Sequence, residues 1–187
     1  MDDGDDELLR RGQQGEETAL DGLVRRYQQP IFHLACRVLG DATRAEEATA
    51  QTLVKIWRRC GQWRGQSTAG TWIYRIAVRT VLDVQRSQTR WWRRWARPVP
   101  VETLDGRPLP DEEASGREQS RQREQRVQTA LQQLPETDRA LVHLYYFEEQ
   151  TLGEIELILG VPKANLKMRL ARARQKLRSL LGETDDG

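Results

Sequence analysis

The sequence predicts an all-α chain of two small helical units joined by a flexible linker. Apolar residues recur at spacings of three and four through most of its 187 residues, and no alternating stretch is long enough for a strand. The segment RPVPVETLDGRPLPDEEASG, Arg97–Gly116, breaks that period with four prolines, and its five acids outnumber its two arginines, so it reads as an extended tether. Aromatic residues are only 6% and charged residues 31%, a balance that suits exposed helices and disfavours a large sheet core.

In chain order, Asp5 to Arg11 can start a short helix. Leu20, Leu23, Val24 and Tyr27 then repeat at helical spacing, and after Pro30 so do Ile31, Leu34, Ala35, Val38 and Leu39, up to Gly40. Asp41 is a candidate cap for the next segment, whose apolar positions are Ala45, Ala48, Leu53, Ile56 and Trp57. GQWRGQSTAG, Gly61 to Gly70, is a loop by its glycines and small polar residues. A helix then carries Trp72, Ile73, Ile76, Ala77 and Val81 towards QRSQTRWWRRWARP, where Trp91, Trp92 and Trp95 stand among five arginines. The units are thus 1–96, a linker over 97–116, and 117–187. In the second, Arg117 to Leu134 is a polar helix, and Pro135 begins another with a stripe of Ala140, Leu141, Leu144 and Tyr145.

The net charge of +2 says little about partners, but its distribution says more. MDDGDDE is acidic, whereas neither Arg86–Arg97 nor Lys163–Leu181 contains an acid, and such basic blocks suit contact with polyanions. Cys36 and Cys60 form no C-x-x-C and suggest a reduced chain. With no apolar run of about 18 residues and no signal-peptide pattern, the expectation is a cytoplasmic protein without membrane insertion. His33 and Cys36 share a helix face, but no second ligand pair lies near, and an incidental role is the simpler reading. No phosphate loop or nucleophile–base arrangement supports an enzyme, and no cofactor is expected.

The most specific feature is TLGEIELILGVPKANLKMRLARARQKL, Thr151 to Leu177, which reads as a helix-turn-helix. Thr151 and Glu154 have capping-box spacing, Gly160 suits a left-handed turn, and Pro162 can only open the helix that follows. That helix buries Leu166, Leu170, Ala173 and Leu177, leaving a basic surface with the dimensions of a major-groove reader. The plainer alternative is an amphipathic hairpin with a solvated basic face.

Three segments in order resemble the bacterial sigma-70 family, in the small two-domain spacing of its extracytoplasmic-function (ECF) group. LPETDRALVHLYYFEEQTLGEIELILGVPKANLKMRLARARQKLRSLL is similar to its fourth conserved region, DATRAEEATAQTLVKIW to its core-polymerase-binding helix, and WRGQSTAGTWIYRIAVRTVLDVQR to its promoter-melting segment. The resemblance implies a sigma factor that joins core RNA polymerase through the β′ coiled coil and the β flap, with Glu46, Glu47, Val54 and Trp57 at the coiled coil. It implies minus-ten DNA contacts by Trp63, Arg64, Gly65, Ser67, Thr71, Trp72, Tyr74, Arg75, Arg79 and Arg86. It implies minus-thirty-five contacts by Lys163, Asn165, Lys167, Met168, Arg169 and Arg172, and control by an anti-sigma factor.

Departures from the family pattern carry their own expectations. Ala50 and Gln51 replace a glutamine–glutamate pair, which removes one interface charge. Arg79 replaces asparagine, and arginine only donates hydrogen bonds, so minus-ten base preference should differ. Glu156 replaces a small alanine, Leu157 a polar residue and Met168 a small polar one. Bland alternatives stand beside these assignments: a solvated face for Glu46 and Glu47, and a core position for Trp72. The Trp91–Trp92–Trp95 cluster can meet the DNA backbone, the tether or another protein. The rival functions are a dimeric helix-turn-helix repressor acting without polymerase, and a protein-binding scaffold.

Overall fold

A computed structural model describes residues 4–95 and 114–182, with the side chains of 88–95 and 114–121 excepted. Its described regular structure is helical throughout, as expected. Helix α1 (Asp5–Gln13) buries Leu9 and leads to the long α2 (Glu17–Leu39). Helix α2 runs through Pro30. A mid-helix proline costs on the order of 3 kcal/mol. Leu23, Tyr27, Ile31, Leu34, Ala35 and Val38 are buried along the same helix. At about 1.5–3 kcal/mol for each fully buried large aliphatic side chain, this packing outweighs the lost hydrogen bond.

Helix α3 (Ala42–Arg59) begins where Asp41 accepts a hydrogen bond from the Arg44 backbone N–H at 2.8 Å. A 3-10 turn (Cys60–Gln62) and a short loop connect it to α4 (Ala69–Trp95). Trp91, Trp92 and Trp95 lie on the last turns of α4, but their side chains fall outside the described residues. Of the expected tether, residues 97–113 lie outside the described residues, while Ala114, Ser115 and Gly116 begin α5 (Ala114–Gln132).

Helices α6 (Glu136–Tyr146), α7 (Leu152–Leu159) and α8 (Lys163–Leu181) complete the second half. The two halves share one apolar cluster, in which Leu34, Val38 and Ile73 of the first join Leu141, Leu144 and Ile158 of the second. A polar seam lies beside it. The last-turn carbonyls of α2 lack partners within the helix, save that Cys36 O accepts from the capping Gly40 N–H at 2.9 Å. Cys36 O accepts from Gln128 Nε2 at 2.9 Å, Arg37 O from Gln132 Nε2 at 2.9 Å, and Val38 O from Arg139 at 2.6 Å. Arg139 is buried and also donates to the Leu134 and Gln132 carbonyls, so its charge rests in a cage of backbone oxygens.

Candidate nucleic-acid and polymerase-binding surfaces

The helix-turn-helix expected over 151–177 is present in detail. Thr151 and Glu154 form a reciprocal capping box, with the Thr151 N–H donating to the Glu154 carboxylate at 2.8 Å. Gly160 adopts φ +67°, and its N–H donates to Glu156 O at 2.8 Å, which closes α7 and turns the chain into α8. Leu166, Leu170 and Ala173 are buried, which fixes the face that α8 presents outwards. That face carries Lys163, Asn165, Lys167, Met168 and Arg172, all exposed. Arg169 differs: its Nε donates to Asp138 of α6 at 2.6 Å and it is half-buried. Glu156, where the family pattern has a small alanine, is only partly buried, and Leu157 is exposed.

On α3, Glu46, Glu47, Val54 and Trp57 are all exposed. Trp57, placed in the core by its spacing, is 42% exposed and Val54 48%, while Ile56 between them is fully buried. The inward periodicity of α3 is completed by Thr49 and Thr52, whose hydroxyls donate to the Ala45 and Ala48 carbonyls one turn earlier. Two exposed apolar side chains beside two carboxylates make a surface suited to a partner helix with both apolar and basic positions.

The residues expected at minus-ten DNA divide by burial. Arg64, Gly65, Arg75, Arg79 and Arg86 are exposed, and Ser67 and Trp72 are intermediate. Trp63, Thr71 and Tyr74 are buried. Trp63 folds inwards, its indole N–H donating to Ser67 O at 3.0 Å, so the ring spans the base of the loop instead of standing out from it. Tyr74 packs edge-on to Tyr27 with ring centroids 5.7 Å apart. Gly70 is required here by close approach, because a Cβ at this position would meet the Tyr27 hydroxyl at 2.8 Å.

Tyr74 also reaches across the seam, donating its hydroxyl proton to Glu148. His143 Nε2 lies 3.0 Å from the other Glu148 oxygen, and Arg37 stacks on the Phe147 ring with its guanidinium 3.8 Å from the centroid. Burial pushes the His143 pKa below its ordinary value, with Glu148 opposing and Arg37 assisting. For Glu148, burial favours the neutral acid, but the close His143 imidazole, a hydrogen bond from Tyr74 and the Arg37 charge outweigh it, and its pKa is lowered. Sequence reasoning missed this cluster and the Gln128–Gln132–Arg139 seam, because polar pairs separated by scores of residues leave no periodic signal.

Beside the seam is a cleft of about 470 Å³ with an apolar floor that includes Val78, Leu82 and Ile158, and with Arg79, Arg86 and Arg169 at its edge. Burial pushes the Cys36 thiol up to about 11, which opposes thiolate reactivity. Among the described residues, no group of three or more His, Cys, Asp or Glu is placed to hold a metal ion, and no helix is long and apolar enough to cross a membrane.

Fold and surfaces define a helical protein that carries a helix-turn-helix with a basic outer face and, on α3, an exposed face with apolar and acidic residues. Residues 23–96 match the family described as Sigma-70 region 2, and residues 124–177 match Sigma-70, region 4. The RNA polymerase sigma-H factor of Pseudomonas aeruginosa is 31% identical over 182 residues, covering 92% of this chain and 91% of that protein. The ECF RNA polymerase sigma factor SigM of Mycobacterium tuberculosis strain H37Rv is 30% identical over 184 residues, covering 98% and 87%. The fold is shared with CnrH, solved in complex with the cytosolic domain of CnrY, at TM-score 0.71 and 22% identity over 98% of this chain and 100% of that one. It is also shared with sigma factor RpoE of Bartonella quintana, solved with the anti-sigma factor NepR, at TM-score 0.72 and 19% identity over 89% and 98%. The chain belongs to the ECF group of the sigma-70 family, whose members direct promoter-specific initiation by RNA polymerase; the repressor and scaffold readings are set aside.

Proposed function

We propose that this sigma factor docks Glu46, Glu47, Val54 and Trp57 of α3 on the β′ coiled coil of core polymerase, with the second half meeting the β flap. The units are 1–96, a tether and 117–187. The loop 63–71 with Arg75, Arg79 and Arg86 takes the opened minus-ten strand, and the exposed face of α8 enters the minus-thirty-five major groove. The chain supplies no catalysis of its own and acts in the cytoplasm. An anti-sigma factor, the class of partner with which a protein of this fold from Bartonella quintana was solved, holds it inactive.

The observation that carries this reading is the coexistence of two outward surfaces with different chemistry. The α3 face is apolar and acidic, and the α8 face is basic. A second consideration concerns distance. Promoter elements centred near minus ten and minus thirty-five are separated by roughly 85 Å of duplex at ~3.4 Å per base pair. Arg79 and Arg86, assigned to one element, share a single cleft with Arg169, assigned to the other. The seam between the halves therefore opens when the chain binds a promoter.

Reconstituted transcription with core enzyme across a promoter library tests the proposal. The expected result is polymerase-dependent initiation from a subset with paired minus-thirty-five and minus-ten elements. Absence of initiation with stable polymerase-free binding to palindromic duplex contradicts it.

A further inference from the structure

Helix α1 precedes both family-matched stretches, 23–96 and 124–177. Its polar side chains nevertheless converge on the loop assigned to minus-ten capture. Gln13 Nε2 donates to Cys60 O at 2.8 Å and Trp63 O at 2.9 Å, at the start of the loop. Asp6 Oδ1 accepts from the Ala69 backbone N–H at 2.6 Å, where the loop ends and α4 begins. Arg10 lies over the Trp63 ring, with its guanidinium 5.7 Å from the centroid. Both ends of the loop are therefore tied to one helix. Between them Arg64, Gly65, Gln66 and Thr68 are exposed.

We infer that Asp6 and Gln13 are positioning residues that hold the minus-ten loop in the shape required to receive an unstacked base. An extruded base must enter a cradle already formed, because ordering a loop at the moment of binding consumes affinity. The first N–H groups of α4 are unsatisfied within the helix, and Thr68 serves only one of them, accepting from Thr71 N at 3.2 Å. Asp6 serves another from a separate helix, which links the direction of α4 to that of α1. Gln13 acts at the opposite end by holding two carbonyls with one amide group. Neither residue extends into the open part of the loop, so their effect on DNA passes through loop geometry.

This inference rests on the proposed capture of opened minus-ten strand, and its test separates the two. Holoenzymes reconstituted with the full-length chain and its Asp6→Ala, Asp6→Asn and Gln13→Ala variants are compared for binding to forked and fully paired promoter probes at fixed salt. Core-polymerase affinity is measured in parallel. The expected result is that Asp6→Ala and Gln13→Ala each lower the forked-over-paired preference about fivefold, the scale of one lost helix-capping bond. Core affinity stays unchanged, and Asp6→Asn, which keeps an acceptor for the Ala69 N–H, restores most of the preference. A wild-type holoenzyme without forked preference overturns the capture reading itself. A preserved preference in both alanine variants overturns the positioning role. Equal weakening on both probes, loss of core affinity, or failure of Asp6→Asn to rescue also overturns it, because α1 then serves stability alone.

Discussion

Tyr74 on α4 donates its hydroxyl proton to the Glu148 carboxylate just beyond α6, and this hydrogen bond joins the first half of the chain to its helix-turn-helix half. Glu148 in turn lies 3.0 Å from His143, a residue almost fully buried. The seam is therefore built from groups whose charge depends on pH.

The sign follows from the shifts. An unfolded histidine takes up a proton as pH falls through about 6.5, whereas buried His143 resists protonation, so acid favours the unfolded chain. Stability is complete above that value and declines below it. Glu148 adds a second loss below about 4.5, because its lowered pKa keeps it ionised after its unfolded counterpart is protonated. The melting temperature should fall as pH is lowered from 7.5 to 5.5, and His143→Gln should flatten that part of the curve. A melting temperature that rises on acidification contradicts the assignment.

Two helix-ending glycines should respond differently to alanine. Gly40 and Gly160 have nearly the same left-handed φ, +69° and +67°. Each Ala substitution carries about 1–2 kcal/mol of backbone strain. A Cβ at Gly160 meets nothing within 4 Å, but one at Gly40 falls 2.7–3.0 Å from the Gln132 amide group. Gln132 cannot yield freely, because it donates to Arg37 O and accepts from Arg139. Gly40→Ala should therefore be the more destabilising by about 1–2 kcal/mol, one or two lost hydrogen bonds, in denaturant melts. Equal costs would mean that the seam adapts.

Adjacent residues on α3 should separate docking from packing. Trp57→Ala should weaken core-polymerase binding by about tenfold or more, with little change in melting temperature. Ile56→Ala should instead cost on the order of 2–5 kcal/mol of stability. Titration against core enzyme and thermal melts decide the matter, and an unchanged core affinity for Trp57→Ala counts against this face as the contact.

A comparable pair lies on α8. Arg172→Ala should weaken promoter binding and lower the dependence of log affinity on log salt by about one, because one fewer phosphate contact releases fewer counterions. Leu170→Ala should lose stability through a core cavity, about 2–5 kcal/mol. An unchanged affinity and salt slope for Arg172→Ala would mean that α8 is docked the wrong way round.

The sequence disclosed what local chemistry dictates. Thr151, Glu154 and Gly160 announce α7 and its turn, and Asp41 announces α3, because caps and left-handed turns act within a few residues. At Pro30 the local cost of a proline is visible in the sequence, while the compensating burial of Tyr27, Ile31 and Leu34 is tertiary. Trp57 misled: its helical spacing and size suit a core, yet Thr49 and Thr52 occupy the inward face and satisfy their hydroxyls on their own helix. Trp63 and Tyr74 were legible as aromatics of the loop and of the helix that follows it, but their burial depends on Ser67, Tyr27 and Glu148. The links from α1 to the loop join residues 47–63 positions apart, beyond any local pattern.

The central claim is that the chain opens at its seam to span two promoter elements. Its most direct test is resonance energy transfer between dyes at Gln29→Cys and Gln175→Cys, both exposed positions, in a chain with Cys36→Ala and Cys60→Ser. Transfer should be high in the isolated protein and should fall by an amount corresponding to tens of Å of added separation in the promoter-bound holoenzyme, on the scale of the roughly 85 Å between elements. Transfer that stays high in a transcriptionally competent promoter complex would contradict it.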